Sequence, residues 1–409
     1  MQMNTGTLGE HEIRDVGRLR VMRPFVPRSV VFAWLLHVII SLVFGFTVQA
    51  NPETTEAQWF STPDWAGNLA HWDVNWEIRI SDQGYGPDFS PQTSAKFPLA
   101  ALTARLIHQV LHVPMQVALF LINKAGLLLG LWALWRMVAG MSDIRTADRA
   151  VRFMAFPLLG TAFIYWMSYP DVLFLAWWAL AFTCLWEGNY LRAGLIATLA
   201  VWTRPQGAVL VGVMGLSVLV EAARNKGLFV TLRSGVFWRH VLAACIIPVL
   251  GLVGWIIRVS DVAGIPFSPY VAQGDVGRGE FIWPWERIVE RVQWMANQSE
   301  PLNGGYWTEL WQLALIMLGL VILIVVWRRG KLRWELVLFS VLSIGLPLAT
   351  GVMAIGRFAT MTWLPLAFMY IIPARWRWLD GVLWLVGVGL AVAVLTNINL
   401  TPSDWYYVP

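Results

Sequence analysis

Four short polar groups interrupt an otherwise apolar chain, and each carries a side chain able to do chemistry. The first is His71-Trp72-Asp73-Val74-Asn75-Trp76, followed by Arg79 and Gly84-Tyr85-Gly86. Asp73 stands between two tryptophans. Flanking aromatic rings can exclude water and stack on the apolar face of a sugar, and a carboxylate between them can take a proton from an attacking hydroxyl. The plainer reading is an Asp that caps a helix beside interfacial Trp72 and Trp76. The second group is Ser168-Tyr169-Pro170-Asp171. Pro and Asp suit a helix start there; the functional reading is a polar contact from Tyr169 and Asp171 into the same cleft. The third is Thr203-Arg204-Pro205-Gln206-Gly207 and the fourth is Gly356-Arg357-Phe358. Guanidinium binds phosphate bidentately, so Arg204 and Arg357 on one side of a membrane would make a phosphate clamp. The plainer reading of Arg204 is an ion pair with a carboxylate such as Asp171. Gly356 permits close backbone approach.

Two further segments have weaker chemistry. The stretch 274–287 mixes Gly, charge and Trp, and reads equally as a lid or as a surface loop. Its glycines lack the strand-to-helix setting of a nucleotide fingerprint. Asn123-Lys124 lies inside an apolar run, with Lys124 directed to a bundle interior and no role assigned.

The elements that must position these groups are membrane spans. The chain is 57% hydrophobic and 13% charged, with mean hydropathy +0.58. A soluble domain carries about a quarter charged residues. The reading is an all-α polytopic membrane protein, with about ten or eleven transmembrane helices long enough for a hydrocarbon core of about 30 Å. The expected spans cover approximately 29–49, 115–138, 151–167, 171–187, 191–203, 206–220, 240–257, 308–326, 335–353, 358–373 and 378–396. The pair 191–220 is split by Thr-Arg-Pro and reads alternatively as re-entrant. Residues 98–113 contain Arg105, His108 and His112 and read as a helix lying in the interface.

Charge bias orients the bundle. Arg14, Arg18, Arg20, Arg23 and Arg28 precede the first span, so the tail 1–28 stays cytoplasmic and the first span acts as a signal anchor. Alternation then places Arg145, Arg149, Arg224, Arg328 and Lys331 inside as well. The transmembrane domain runs over 29–396, with larger external loops 50–97 and 258–307 and an external tail 397–409. All four polar groups fall outside. The 26 Trp suit interfacial anchoring, with Trp132, Trp135, Trp327, Trp334, Trp376 and Trp378 at span ends. Cys184 and Cys245 both lie in apolar runs and suggest neither a disulfide nor a metal site. The net charge of +5 follows from the basic clusters at span ends and does not point to nucleic acid.

Taken in order, these motifs resemble the polytopic mannosyltransferase family typified by the second mannosyltransferase of glycosylphosphatidylinositol synthesis (PIG-V-like), within the C-type (GT-C) membrane glycosyltransferases. Trp72-Asp73 with Trp76, Ile80 and Gly84-Tyr85 resembles the first-loop signature, and Lys96-Phe97-Pro98-Leu99 the run that follows it. Tyr169-Pro170-Asp171-Val172-Leu173-Phe174 is similar to a Tyr-Ser-Glu-Ser-Leu-Phe segment, Thr203-Arg204-Pro205 with Gly207 to a Thr-Arg-Pro-x-Gly segment, and Gly356-Arg357-Phe358 to a late Arg-aromatic element. Glu77 stands where the family often has Tyr, and Pro170-Asp171 where a Ser-Glu pair is common.

The resemblance implies an enzyme of the plasma membrane if bacterial, with an extracytoplasmic site. It implies a polyprenyl-phosphate sugar donor, mannose above all, and a lipid or glycan acceptor. Asp73 would be the base of an inverting displacement. Trp72, Trp76, Lys96, Tyr169, Asp171, Arg204 and Arg357 would bind substrate. No cofactor is required, and a lone divalent cation held by loop carboxylates stays open. The rival readings are a transporter or flippase for a lipid-linked sugar and a non-catalytic subunit of a glycan-assembly complex. Against the first, the chain shows no repeat symmetry of the transporter kind.

Overall fold

The computed structural model describes residues 25–47, 64–70, 73–85, 91–275, 278–297, 304–352, 354–373 and 376–400. Every regular element within them is helical. The bundle packs around an apolar core and is apolar on much of its outer surface as well. The first helix, α1 (Arg28–Thr47), turns Val30, Ala33, His37, Ser41 and Gly45 inward, a stripe at helical spacing. Its outer face carries Phe32, Ile39, Val43 and Phe46, all more than half exposed. Such a surface is at home in lipid.

Five helices are long and apolar enough to cross a membrane: Arg28–Thr47, Met115–Met141, Gln206–Asn225, Gly235–Ala263 and Trp307–Arg328. Four shorter apolar helices accompany them: Asp171–Trp186, Tyr190–Val201, Trp334–Thr350 and Trp378–Ala393. Between α1 and the second long helix lie α2 (Asp73–Gln83) and α3 (Pro98–Leu111). The helix α4 (Met115–Met141) is central and packs on α1, on α5 (Ile144–Ala155) and most extensively on α6 (Asp171–Trp186).

Then follow α7 (Tyr190–Val201), α8 (Gln206–Lys226) and α9 (Gly235–Ala263), the last with a π turn at Leu242–Ile246. The chain continues through α10 (Pro284–Ala296), α11 (Gly304–Arg328), α12 (Trp334–Thr350), α13 (Ile355–Thr360) and α14 (Arg377–Leu400).

Two expected spans are not single helices. In 151–167, α5 stops at Ala155 and a short helix resumes only at Phe163–Trp166. In 358–373 the chain runs as the short helices Ile355–Thr360, Leu364–Ala367 and Phe368–Tyr370. Pro157 with Gly160, and Pro365, interrupt the apolar runs. Both segments are buried, and several of their carbonyls accept from distant side chains, as irregular backbone at membrane depth requires. Gln312 Nε2 donates to Leu159 O at 3.1 Å, and Tyr165 Oη to Met154 O at 3.0 Å. Both segments still run between opposite ends of the bundle.

Among the described residues, the stretches read as loops contain helices: α2 lies in 50–97, and Ser268–Asp275 and α10 lie in 258–307. Fourteen residues make α3 about 21 Å long, too short to span. It buries Ala100, Ala101 and Ala104 and exposes Leu102, Leu106 and Val110. One anchoring expectation fails: Trp135 is a core residue, 2% exposed, donating from Nε1 to Asp148 Oδ1 at 2.9 Å. Trp327, Trp376 and Trp378 are exposed.

Candidate functional site

Asp73 opens α2, where a carboxylate suits the positive end of the helix dipole. Val74, Glu77, Ile78 and Ser81 form the buried stripe of that helix. Gly84, at φ +82°, terminates it, with its N–H on Ile80 O at 2.9 Å. Arg105 from α3 clamps the same end, Nε donating to Ser81 O at 2.5 Å and Nη2 to Ile80 O at 3.1 Å. Lys96 precedes α3 and is fixed through its backbone, since Tyr85 Oη donates to Lys96 O at 2.9 Å. Leu99 N–H donates to Trp202 O at 3.0 Å, tying the start of α3 to the segment that carries Arg204.

These supports bring four distant segments to one place. The Lys96 ammonium pairs with Asp73 Oδ1, and Arg357 Nη2 donates to Asp73 Oδ2 at 2.6 Å. Arg357 Nε also lies 3.5 Å from Asp171 Oδ1, and Arg204 pairs with that same oxygen. Arg357 thus bridges the carboxylates of α2 and α6. Asp171 is the first residue of α6 and makes no side-chain cap bond; it serves the arginines instead. Aromatic rings wall the cluster. Arg357 lies over Tyr169 at 5.0 Å, and both Arg204 and Arg278 lie over Phe358, at 4.8 and 4.9 Å. A Cβ on Gly356 would fall 2.3 Å from Gln312 Oε1, so the absent side chain lets Arg357 enter against α11.

Of the residues singled out in sequence, Asp73, Lys96, Tyr169, Asp171, Arg204 and Arg357 converge. Trp76 is half-buried with Arg79 over its ring at 5.4 Å. Trp72 lies outside the described residues. Arg204 takes up the ion pair with Asp171 that the plainer reading anticipated.

Three members of the site carried no assigned role in the sequence reading. Arg278 comes from the Gly-rich stretch and is anchored by Nη1 to Pro347 O at 3.2 Å and Gly351 O at 3.1 Å. Glu77 is one turn beyond Asp73 and 5% exposed, and its Oε2 has no hydrogen-bond partner. Gln206 is 2% exposed, and neither end of its amide has a partner. The available signals were the i, i+4 spacing from Asp73 for Glu77 and adjacency to Arg204 for Gln206.

Asn123 and Lys124 acquire a structural role. Asn123 Nδ2 donates to Tyr169 O at 2.7 Å and Ile164 O at 3.1 Å. Lys124 Nζ donates to Ser41 Oγ at 2.7 Å, Asn123 Oδ1 at 2.9 Å, Trp166 O at 3.3 Å and also Tyr165 O. The pair satisfies the carbonyls of the broken segment that delivers Tyr169 and Asp171.

The electrostatics are unbalanced. Among the described residues Lys96, Arg204, Arg278 and Arg357 face the carboxylates of Asp73 and Asp171, an excess of two positive charges. Burial alone would raise the Asp73 carboxyl, but Lys96 and Arg357 outweigh it and hold it well below the usual carboxylate range. Burial pushes Glu77 up to about 8, with Asp73 adding to the rise against Lys96 and Arg204, so it is mostly protonated at neutral pH. Arg278 is lowered to about 10 by burial and by Arg357. Among the described residues no group of three or more His, Cys, Asp or Glu gathers as metal ligands would.

No family model matches the sequence, and no curated protein matches it. The fold does have solved counterparts. The structure of ArnT from Cupriavidus metallidurans bound to undecaprenyl phosphate aligns at a TM-score of 0.50 and 14% identity, over 93% of this chain and 66% of that one. This chain therefore spans slightly less than two thirds of ArnT's length. The archaeal oligosaccharyltransferase AglB from Archaeoglobus fulgidus, in complex with an inhibitory peptide and a dolichol-phosphate, aligns at 0.42 and 12%, over 91% and 55%. The likeness to ArnT shows the fold alone, a helical architecture that resembles the GT-C membrane glycosyltransferases, and this chain's five candidate spans are those of a multi-pass membrane protein.

Proposed function

We propose that this protein is a membrane glycosyltransferase that moves a hexose, mannose being the first to test, from a polyprenyl-phosphate sugar to a hydroxyl of a lipid or glycan acceptor. The observation that carries the reading is Asp73 held between Lys96 and Arg357 within a cluster that has two positive charges in excess. A lipid-borne phosphate brings the complementary charge. ArnT, a solved protein whose fold this chain shares, was captured with undecaprenyl phosphate. The order of the motifs supports a PIG-V-like mannosyltransferase within that fold.

The chemistry follows from the geometry. The acceptor oxygen attacks the anomeric carbon from the face opposite the phosphate. The bond from that carbon to the phosphate oxygen breaks, its electron pair stays on the phosphate, and the configuration inverts. Preorganised guanidinium groups of Arg204, Arg278 and Arg357 stabilise the charge that develops there. Asp73 takes the acceptor proton. With its two ion pairs in place Asp73 is a weak base. An arriving phosphate competes for Arg357 and Lys96, and loosening those pairs raises the proton affinity of Asp73 once donor is bound. Glu77 and Gln206, both short of partners, are placed to read sugar hydroxyls. Arg145, Arg149, Arg224, Lys331 and Arg333 belong to the end opposite the site, which by charge bias is cytoplasmic and leaves the site facing outward. A lipid-borne donor suits that side, where no nucleotide sugar is supplied.

The test is transfer of labelled mannose, and of other hexoses in parallel, from polyprenyl phosphate in membranes carrying wild type or Asp73→Asn at matched expression. The reading expects transfer by wild type and its loss in the variant. Equal transfer by both removes Asp73 as base. Wild-type protein that takes no sugar from any donor, yet moves a lipid-linked sugar across the bilayer, replaces the enzyme by a flippase.

A further inference from the structure

A second charged site lies at the other end of the bundle. Two helices carry a site residue at one end and line a cavity with the other, α6 from Asp171 to Trp186 and α8 from Gln206 to Arg224. The helix α8 runs from Gln206 to Arg224, about 27 Å at 1.5 Å per residue. That length matches the hydrocarbon thickness of about 30 Å. The cavity therefore opens at the opposite interface, one bilayer away from Asp73. Its volume is about 650 Å³, within the range of pockets that hold a small molecule.

The floor is built. Glu335, 2% exposed, accepts from Arg333 Nη2 at 3.0 Å and from Ser217 Oγ at 3.0 Å. Arg333 lies over the Trp186 ring at 4.4 Å, and Trp186 Nε1, at a residue 5% exposed, has no hydrogen-bond partner. At the rim stand Arg224 and Lys331, both exposed and neither in an ion pair among the described residues. The floor is electrically matched, and Glu221 is the one further carboxylate in the lining, so the cavity keeps a positive excess. One wall ends at Trp327, 41% exposed, on α11. Above Trp327 the same helix exposes Leu318, Val321 and Val325. One turn from Trp327, Ile324 is 40% exposed, so the basic pocket borders the apolar outer surface of α11.

We propose that this cavity binds the headgroup of an anionic phospholipid from the leaflet opposite the catalytic site, with its acyl chains along α11. Arg224 and Lys331 meet the phosphate, Trp186 Nε1 supplies a further donor, and Trp327 marks the boundary between headgroup and chains. Basic pockets between membrane helices on the cytoplasmic side take such headgroups. A soluble phosphate has the same charge but makes no use of the apolar face.

The experiment is native mass spectrometry of the purified full-length protein with added phosphatidylglycerol, phosphatidylcholine or soluble glycerophosphoglycerol. Wild type is expected to retain phosphatidylglycerol in preference to phosphatidylcholine, and to bind the deacylated headgroup far more weakly. Arg224→Ala with Lys331→Ala should weaken phosphatidylglycerol binding about thirtyfold. Both residues are exposed, and an unchanged melting temperature in phosphatidylcholine verifies the variant's fold. Asp73→Asn should bind the lipid as wild type does, which separates this proposal from the enzymatic one. Equal retention of the two lipids, undiminished binding by the double variant, or equal binding of the soluble headgroup would overturn it.

Discussion

Two clusters of buried charge lie close together in this bundle, and they are finished to different degrees. Around Lys124 a single ammonium meets four oxygens, from Ser41, Asn123, Tyr165 and Trp166. Every acceptor is neutral, and the donors of the ammonium are used up. Around Asp73, among the described residues, four cations share two carboxylates, Glu77 Oε2 has no partner, and the amide of Gln206 has none at either end. A closed network stabilises the fold it sits in. An open one pays for its burial only when something else completes it, and here that something is anionic and rich in hydroxyls. The closed cluster also serves the open one, because Asn123 and Lys124 hold the broken segment whose end presents Tyr169 and Asp171.

Substitutions can break this contrast. The largest effect belongs to Asp73→Asn, which keeps the shape of the side chain and removes the base. Transfer should fall by about two to four orders of magnitude, with gel filtration showing an intact protein. Next is Arg357→Lys. It keeps the charge but loses the fork that reaches Asp73 and Asp171, and kcat/KM should drop about a hundredfold, measured against polyprenyl-phosphate donor.

Lys124→Met tests the other side of the comparison. It strands carbonyls at membrane depth, and stability should fall by about 1–3 kcal/mol, seen as a lower melting temperature in detergent. The protein that remains folded should keep its KM for donor. A KM that rises as it does in Arg357→Lys would place Lys124 in the binding site and erase the distinction.

The smallest effect is on pH dependence. Unfolded Glu77 releases its proton near 4.5, and the folded residue near 8. Between those values the folded state binds more protons, so this group makes stability fall as pH rises. Glu77→Gln should flatten that part of the slope, so that wild type loses more melting temperature than the variant between pH 5 and pH 8.

Much of the site was legible because ionisable residues are conspicuous in an apolar chain. Asp171, Arg204 and Arg357 interrupted a hydrophobic pattern, Asp73 stood out between two tryptophans of a polar segment, Lys96 entered through the family resemblance, and the structure brings them together. What stayed hidden did so for physical reasons. Glu77 and Gln206 sit inside motifs already crowded with polar residues, so nothing marked them as lacking partners. Arg278 lay in a stretch whose glycines and tryptophans suit a loop as well as a wall of the site. The breaks at 156–162 and 361–363 were invisible because an apolar run reads alike whether it is helical or irregular. Only the donors that satisfy its carbonyls, Lys124 and Gln312 among them, reveal the difference, and they come from distant parts of the chain. The outer loops misled in the opposite direction, since Asp, Gly and Pro suggested irregular chain where α2 and α10 form.

The excess charge at the Asp73 end carries the account, and binding of undecaprenyl phosphate without any sugar tests it most directly. Saturable binding by wild type that weakens at least tenfold in Arg357→Ala, and is unchanged in Lys331→Ala at the far end, is the predicted result. Binding that is absent, or that is lost equally in both variants, would contradict a lipid-phosphate site built on Arg357 and Asp73.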